Sequence, residues 1–301
     1  MPSSTLASDT ALEPEAAPRI GRSPARLALA RLARHRAVMV GGAGVALIVL
    51  LGIAAPLIAP FPPDRPDYNL TLARPSLQHL CGTDQFGRDI FSRILHGARI
   101  SLLIGFSGTF TGAALGMLVG LLSGYYEGPL DTLIMRVMDV LLAFPGILLA
   151  IGIIAIIGPG EGNIIVAVAI FGVPIFGRIV RSSVLQLKNE AYIEAVRAIG
   201  AATPRVIFRH LLPNTLPLVV VVASLRVATV ILVAASLGFL GLGAKPPSPE
   251  WGAMLADGRQ YISAAPHVAS FPGLAILLTV LGLNLLGDGI RDALDPRMGF
   301  V

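Results

Sequence analysis

Six apolar runs, near residues 37–59, 99–123, 132–157, 162–180, 214–240 and 270–288, restrict this chain more than any other feature of its sequence. Crossing the hydrocarbon core of a bilayer takes about 20 predominantly apolar residues in a helix. Inside lipid each backbone N–H and C=O must be satisfied within its own segment or in a closed barrel. The expected fold is therefore an all-α integral membrane protein with six transmembrane helices. Composition agrees, since 54% of the 301 residues are hydrophobic and only 14% are charged, unlike an ordinary soluble domain. Basic residues ahead of the first run also suit a signal peptide, but the apolar stretch is too long for a cleaved h-region, so it is read as an uncleaved first helix.

Cations set the expected orientation, because cytoplasmic loops carry an excess of Arg and Lys. With the N-terminus inside, the cytoplasmic segments hold fourteen of them: Arg19, Arg22, Arg26, Arg31, Arg34, Arg36, Arg178, Arg181, Lys188, Arg197, Arg205, Arg209, Arg291 and Arg297. The external segments hold seven: Arg65, Arg74, Arg88, Arg93, Arg99, Lys245 and Arg259. Both termini are therefore expected in the cytoplasm. The chain divides into a cytoplasmic tail (1–36, partly disordered), a first helix (37–59), an external loop (60–98), a core of five helices (99–290) containing a polar loop at 189–213, and a cytoplasmic tail (291–301). The net charge of +5 follows from this asymmetry and suits anionic lipid headgroups. No basic stripe with interleaved aromatics points to nucleic acid.

Catalytic motifs are missing. The only lysines, Lys188 and Lys245, do not follow a glycine, so no Walker A loop can be built. Gly158-Pro-Gly160-Glu-Gly162 joins two apolar runs and reads as a turn rather than a phosphate loop. Cys81 is the only cysteine, which rules out an intrachain disulfide. The histidines, at 35, 79, 96, 210 and 267, show no metal-ligand spacing, and His79 with Cys81 supplies too few ligands, so both are read as structural. The chain is expected to be no enzyme and to hold no cofactor; energy for any work must come from a partner.

The polar interruption from Asn189 to Asn214 reads as two short helices. Asn189 is the expected N-cap, Glu190 and Glu194 favour the positive end of the macrodipole, and Gly200 suits a left-handed C′ stop. Thr203 and Pro204 then offer a cap and an N1 proline for a second helix ending before Pro213. The stretch resembles the EAA loop of ABC importer permeases, with Glu194, Ala195, Gly200, Leu212 and Pro213 at the matching positions. Val196 stands for the third small residue and His210 for an aliphatic. The run Arg209-His210-Leu-Leu-Pro-Asn214 is typical of the dipeptide and oligopeptide branch. On this resemblance Tyr192, Glu194, Ala195, Arg197, Gly200, Arg209, His210, Leu212 and Pro213 are candidates for coupling to an ATPase.

The likeness continues through Gly82-Thr-Asp84-Gln-Phe-Gly87-Arg-Asp89-Ile-Phe-Ser92-Arg93, Phe144-Pro145, Ser236-Leu-Gly-Phe-Leu-Gly-Leu-Gly243, Trp251-Gly-Ala-Met and Arg291-Asp-Ala-Leu-Asp-Pro296. These segments are similar to the C-type subunits of dipeptide, oligopeptide and nickel transporters. One departure is His267, where these permeases usually carry Trp after Ala-Pro, and a contact outside the membrane is expected to differ there. The resemblance implies a type I ABC importer permease fold in a bacterial inner membrane. It also implies a second, homologous permease subunit as heterodimer partner, two ATPase subunits that hold ATP and magnesium, and an extracytoplasmic substrate-binding protein. Di- or oligopeptides, or a related small solute such as glutathione or nickel, would be the cargo. The alternative is a secondary transporter or channel driven by an ion gradient, which predicts inverted repeats and midplane carboxylates. Neither is clear in the sequence.

Within the spans, Gly108, Gly112, Gly116, Gly120 and Gly124 recur every four residues, either for tight packing inside the subunit or for a path-lining interface. Arg136 and Asp139 lie three apart and can pair on one helix face. Arg226 falls near mid-span, where an unpaired cation costs several kcal/mol. It is read either as a pore-side cation for a solute carboxylate or as a buried or snorkelling structural group. Arg226, Asp139 and Arg136 are the candidates for a translocation path.

Overall fold

The structure, a computed structural model, describes residues 35–294. The tail at 1–20, the cations from Arg19 to Arg34, and Arg297 lie outside the described residues. The elements are helical: α1 (Arg36–Ile58), α2 (Ile90–Tyr126), α3 (Gly128–Ala143), α4 (Gly146–Ile157), α5 (Glu161–Leu187), α6 (Ala191–Ala198), α7 (Thr203–Phe239), α8 (Trp251–Gly258) and α9 (His267–Leu294). No strand occurs among the described residues. Five helices are long and apolar enough to cross a membrane, and α3 with α4 makes a sixth span if the pair counts as one.

The expected third span is not one helix. Pro145 has no N–H to give and pushes Phe144 into extended backbone, so the chain bends by 97° between α3 and α4. The pair nonetheless crosses the molecule. Its start adjoins Glu127, which pairs with Lys188 at the end of α5. Its end turns through Gly158 and Gly160 into Glu161, which accepts a 2.9 Å hydrogen bond from Ser248 at the opposite end. The turn expected at Gly158–Gly162 is shorter than that: it occupies Gly158–Gly160, Glu161 and Gly162 already belong to α5, and the Asn163 amide donates to the carbonyl of Gly158 at 2.9 Å. His35 at the start of α1 meets Asp292 of α9 at 3.6 Å, so both ends of the described chain lie together.

Helix α2 starts nine residues earlier than the apolar run implied. The Asp89 carboxylate caps it by accepting from Ser92 N–H at 2.7 Å, while its other oxygen holds His79 at 2.9 Å. This carries the polar residues 90–98, counted above within the external loop, into the helix. Asp84 accepts from the backbone N–H groups of Phe86 and Arg88 and from the Arg88 guanidinium, at 2.6–3.0 Å. Arg93, almost wholly buried, donates to the carbonyls of Pro63 and Pro247. The Gly82–Arg93 segment is thus a polar knot that fixes the loop before α2 to the loop before α8.

The glycine stripe packs inside the subunit. A Cβ at Gly112 would stand 2.8 Å from the Ala169 carbonyl oxygen, one at Gly116 2.7 Å from that of Val173, and one at Gly120 2.5 Å from that of Gly177. Helices α2 and α5 therefore meet backbone to backbone, as small-residue faces permit in lipid. His267 likewise turns inward: it is buried, with Nε2 3.4 Å from the Thr83 carbonyl oxygen. The departure at that position serves an internal contact and not an outer surface. His79 and Cys81 are buried too, and no group of three possible metal ligands exists among the described residues.

Candidate functional site

One end of the molecule carries a polar platform built on an apolar underside. Helix α6 buries only Ile193, which is fully enclosed by a cluster including Leu121, Phe176, Val184, Val206 and Leu211. Val196 packs against the same cluster. Tyr192, Glu194, Ala195 and Arg197 are left on the exposed face. The helix starts one residue later than the Asn189 cap implied: Glu190 occupies the N-cap, and the Asn189 amide instead donates to the Leu185 carbonyl at 3.0 Å. Glu194 lies in the first turn and Arg197 in the last, each matching the sign of the macrodipole there.

Gly200 stops the helix as expected. Its φ is +83°, its N–H donates to the Arg197 carbonyl at 3.0 Å, and the Ala201 N–H donates to the Val196 carbonyl at 3.3 Å. That pair of bonds is a Schellman motif. No atom lies within 4 Å of where a Cβ would stand, so dihedral freedom and not space requires glycine.

The second short helix does not end before Pro213. Ala202, not Thr203, is its N-cap, and the Thr203 hydroxyl sits 3.3 Å from that of Tyr125. The chain passes through a π turn at Ile207–Leu211 and runs on to Phe239. Pro213 cannot donate and its ring crowds the preceding turn; the wider turn, with Leu212 N–H reaching the Ile207 carbonyl, absorbs that defect without breaking the helix. Asn214 closes the platform, donating to the His210 carbonyl at 2.6 Å and to the Tyr192 hydroxyl at 3.3 Å. Arg209 and Pro213 are exposed, and His210 and Leu212 half-buried. All nine candidate coupling residues thus fall on, or next to, one surface.

Sequence reasoning overlooked three parts of it. Ile199 is 84% and Phe208 57% exposed, giving the platform apolar prominences beside Arg197 and Arg209. The Tyr125 ring lies 5.8 Å beneath the Arg197 guanidinium. An isoleucine directly before a helix-stopping glycine in an otherwise polar stretch was the available signal.

The path candidates fall in two places. Arg136 and Asp139 do not pair, although they lie on one face; Asp139 instead meets Arg178 of α5, whose long side chain reaches across from the adjoining helix. Arg181 holds Asp131 through two hydrogen bonds of 2.5 and 2.6 Å. Together these groups and Arg136 line an open groove between α3 and α5. Arg226 lies apart, half-buried on α7, with its guanidinium 5.2 Å above the Phe171 ring of α5. Among the described residues no carboxylate lies within 4 Å of it, so the expected alternative of a buried ion pair is not what holds it.

Comparison with known proteins decides the family. Residues 116–300 match the family described as the binding-protein-dependent transport system inner membrane component. The chain belongs to that family. Residues 23–75 match the N-terminal transmembrane domain of oligopeptide transport permease C. A glutathione transport system permease protein of Escherichia coli O6:K15:H31 is 52% identical over 89% of both chains. A dipeptide transport system permease protein of Alkalihalophilus pseudofirmus is 49% identical over 92% of this chain and 91% of that one. Among solved structures, an inward-facing methionine ABC transporter chain shares the fold, with a TM-score of 0.56 at 22% identity over 68% of this chain and 98% of that one. The protein is thus a multi-pass membrane permease component of an ABC importer, and the ion-driven alternative falls away.

Proposed function

We propose that this permease component carries di- or oligopeptides, or a related small solute such as glutathione, delivered from outside by a binding protein. Two ATPase subunits with ATP and magnesium serve the complex from the cytoplasm, one of them docking on this platform, and a second, homologous permease subunit completes the pathway. The platform faces the cytoplasm, as do both termini, which agrees with the distribution of arginine and lysine. One observation carries this reading: a short helix is clamped at its base by Ile193, stopped by Gly200, and exposes Tyr192, Glu194 and Arg197 beside Ile199 and Phe208. Such a rigid knob suits an ATPase groove, and α7 leads from it directly into the membrane. Nucleotide-driven closure of the ATPases would push this knob and tilt the spans between inward-open and outward-open states.

Reconstitution tests the reading. Proteoliposomes containing both permeases and both ATPases, with binding protein outside, are expected to accumulate glycyl-leucine or glutathione only with ATP inside. Cysteine introduced by Ile199→Cys is expected to crosslink to an ATPase subunit. Uptake driven by a proton or sodium gradient without the ATPases overturns it.

A further inference from the structure

Two features that lipid does not tolerate converge on the Phe171 ring. The first is the Arg226 guanidinium stacked on one part of it. The second is the elbow between α3 and α4: a Cβ at Gly146 would collide with that same ring, and Ala143, Phe144 and Pro145 beside it are exposed, with Phe144 in extended backbone. Depth is read from the neighbouring glycines. Gly108 lies at the midpoint of the 37-residue α2 and meets Val168 and Val230. Arg226 is four residues from Val230 along α7, about 6 Å at 1.5 Å per residue. An unpaired cation at this depth costs several kcal/mol in hydrocarbon. Non-helical backbone at this depth is tolerated only inside protein or beside water.

Resting on the importer reading above, we infer that this corner of α4, α5 and α7 borders the water-filled solute path, and that Arg226 is its specificity-determining contact, receiving a carboxylate of the passing solute. Among the described residues no carboxylate lies within 4 Å to compete for the guanidinium, and Phe171 holds it in place through its π face. Arginine also offers two parallel N–H donors, which a carboxylate accepts in bidentate fashion. A peptide carries such a group in every sequence, so a fixed cation here admits many peptides without reading their side chains.

The test uses the assembled complex of both permeases and both ATPases. Arg226→Cys is exposed to the anionic reagent sulfonatoethyl methanethiosulfonate. The native Cys81 stays silent, since it is buried and its thiol is pushed up to about 11 by burial and by Asp89. Labelling in the nucleotide-free state, slowed by vanadate trapping, is expected. Glycyl-leucine uptake is expected to fall about tenfold in Arg226→Met, with complex yield and basal ATP hydrolysis unchanged, and to recover at least in part in Arg226→Lys. No labelling, unchanged uptake in Arg226→Met, or loss of assembly overturns the inference. Lack of ATP-driven uptake by the wild-type complex overturns instead the importer reading for this solute, while labelling still decides whether position 226 meets water.

Discussion

Gly200 and Glu250 show how much one residue can be asked to do. An L-residue in the left-handed region costs roughly 1–2 kcal/mol, least for Asn. Gly200→Ala is therefore expected either to strain the stop or to let α6 run on, moving Ile199 and the start of α7. ATP-driven uptake should drop several-fold, with insertion intact, whereas Gly200→Asn should keep most of it. Glu250 caps α8 through 2.8 Å bonds from Gly252 and Ala253 N–H while lying almost wholly buried. Burial raises its carboxyl above the usual range, outweighing the two N–H bonds that lower it. A carboxyl raised in the folded state makes folding take up a proton, so its contribution is full below the ordinary carboxylate range and is lost as pH rises through the raised value. The melting temperature of the detergent-solubilised protein is expected to fall over that interval, and Glu250→Gln to flatten the fall. A steeper slope in the variant would assign the pH dependence elsewhere.

Among the elements, the α2–α5 pair gives the sharpest contrast. Gly116 has the Phe176 Cβ at 2.6 Å and the Val173 carbonyl oxygen at 2.7 Å from its missing Cβ, while Gly152 on α4 has nothing within 4 Å. Overpacking a tight contact costs about 1–3 kcal/mol even where side chains can shift, and here the obstacle includes backbone. Gly116→Leu should therefore cut the yield of assembled complex several-fold, and Gly152→Leu should not, as read by size-exclusion chromatography. Equal yields would show that the helices part without cost. The stripe was legible because a period of four on an apolar run has few meanings in lipid. The partner helix was not, since nothing local says which neighbour a glycine face meets. Phe144-Pro145 held the signal for a bend, yet hydropathy averages across it and shows one span. Arg178 was hidden from Asp139 for a similar reason: spacing along one helix reveals neighbours at three and four residues, never those 39 apart across a packed pair.

For the molecule as a whole, the pairing of ends alternates with each crossing, so the polar platform and both ends of the described chain share one side. Reporter fusions after residues 60 and 245 should read outside, and those after 190 and 301 inside; an external reading at 301 would overturn the six-crossing path. That alternation was readable from the apolar run lengths, whereas the π turn that joins the platform to its span was not, because Pro213 ordinarily marks a stop. The uninterrupted passage from Thr203 to Phe239 has a mechanical meaning. Ile231 is pressed against Gly105 of α2, and Gly238 abuts the Glu250 carboxylate at the far end. If that Ile231 contact serves as a fulcrum, the arms are about 42 Å toward Thr203 and about 12 Å toward Phe239 at 1.5 Å per residue. A 5° tilt then moves the Thr203 end by about 4 Å and the Phe239 end by about 1 Å the opposite way. A rod pivoting there is geared down: a broad stroke at the Thr203 end would arrive at the Phe239 end as a displacement about 3.5-fold shorter, with correspondingly greater force.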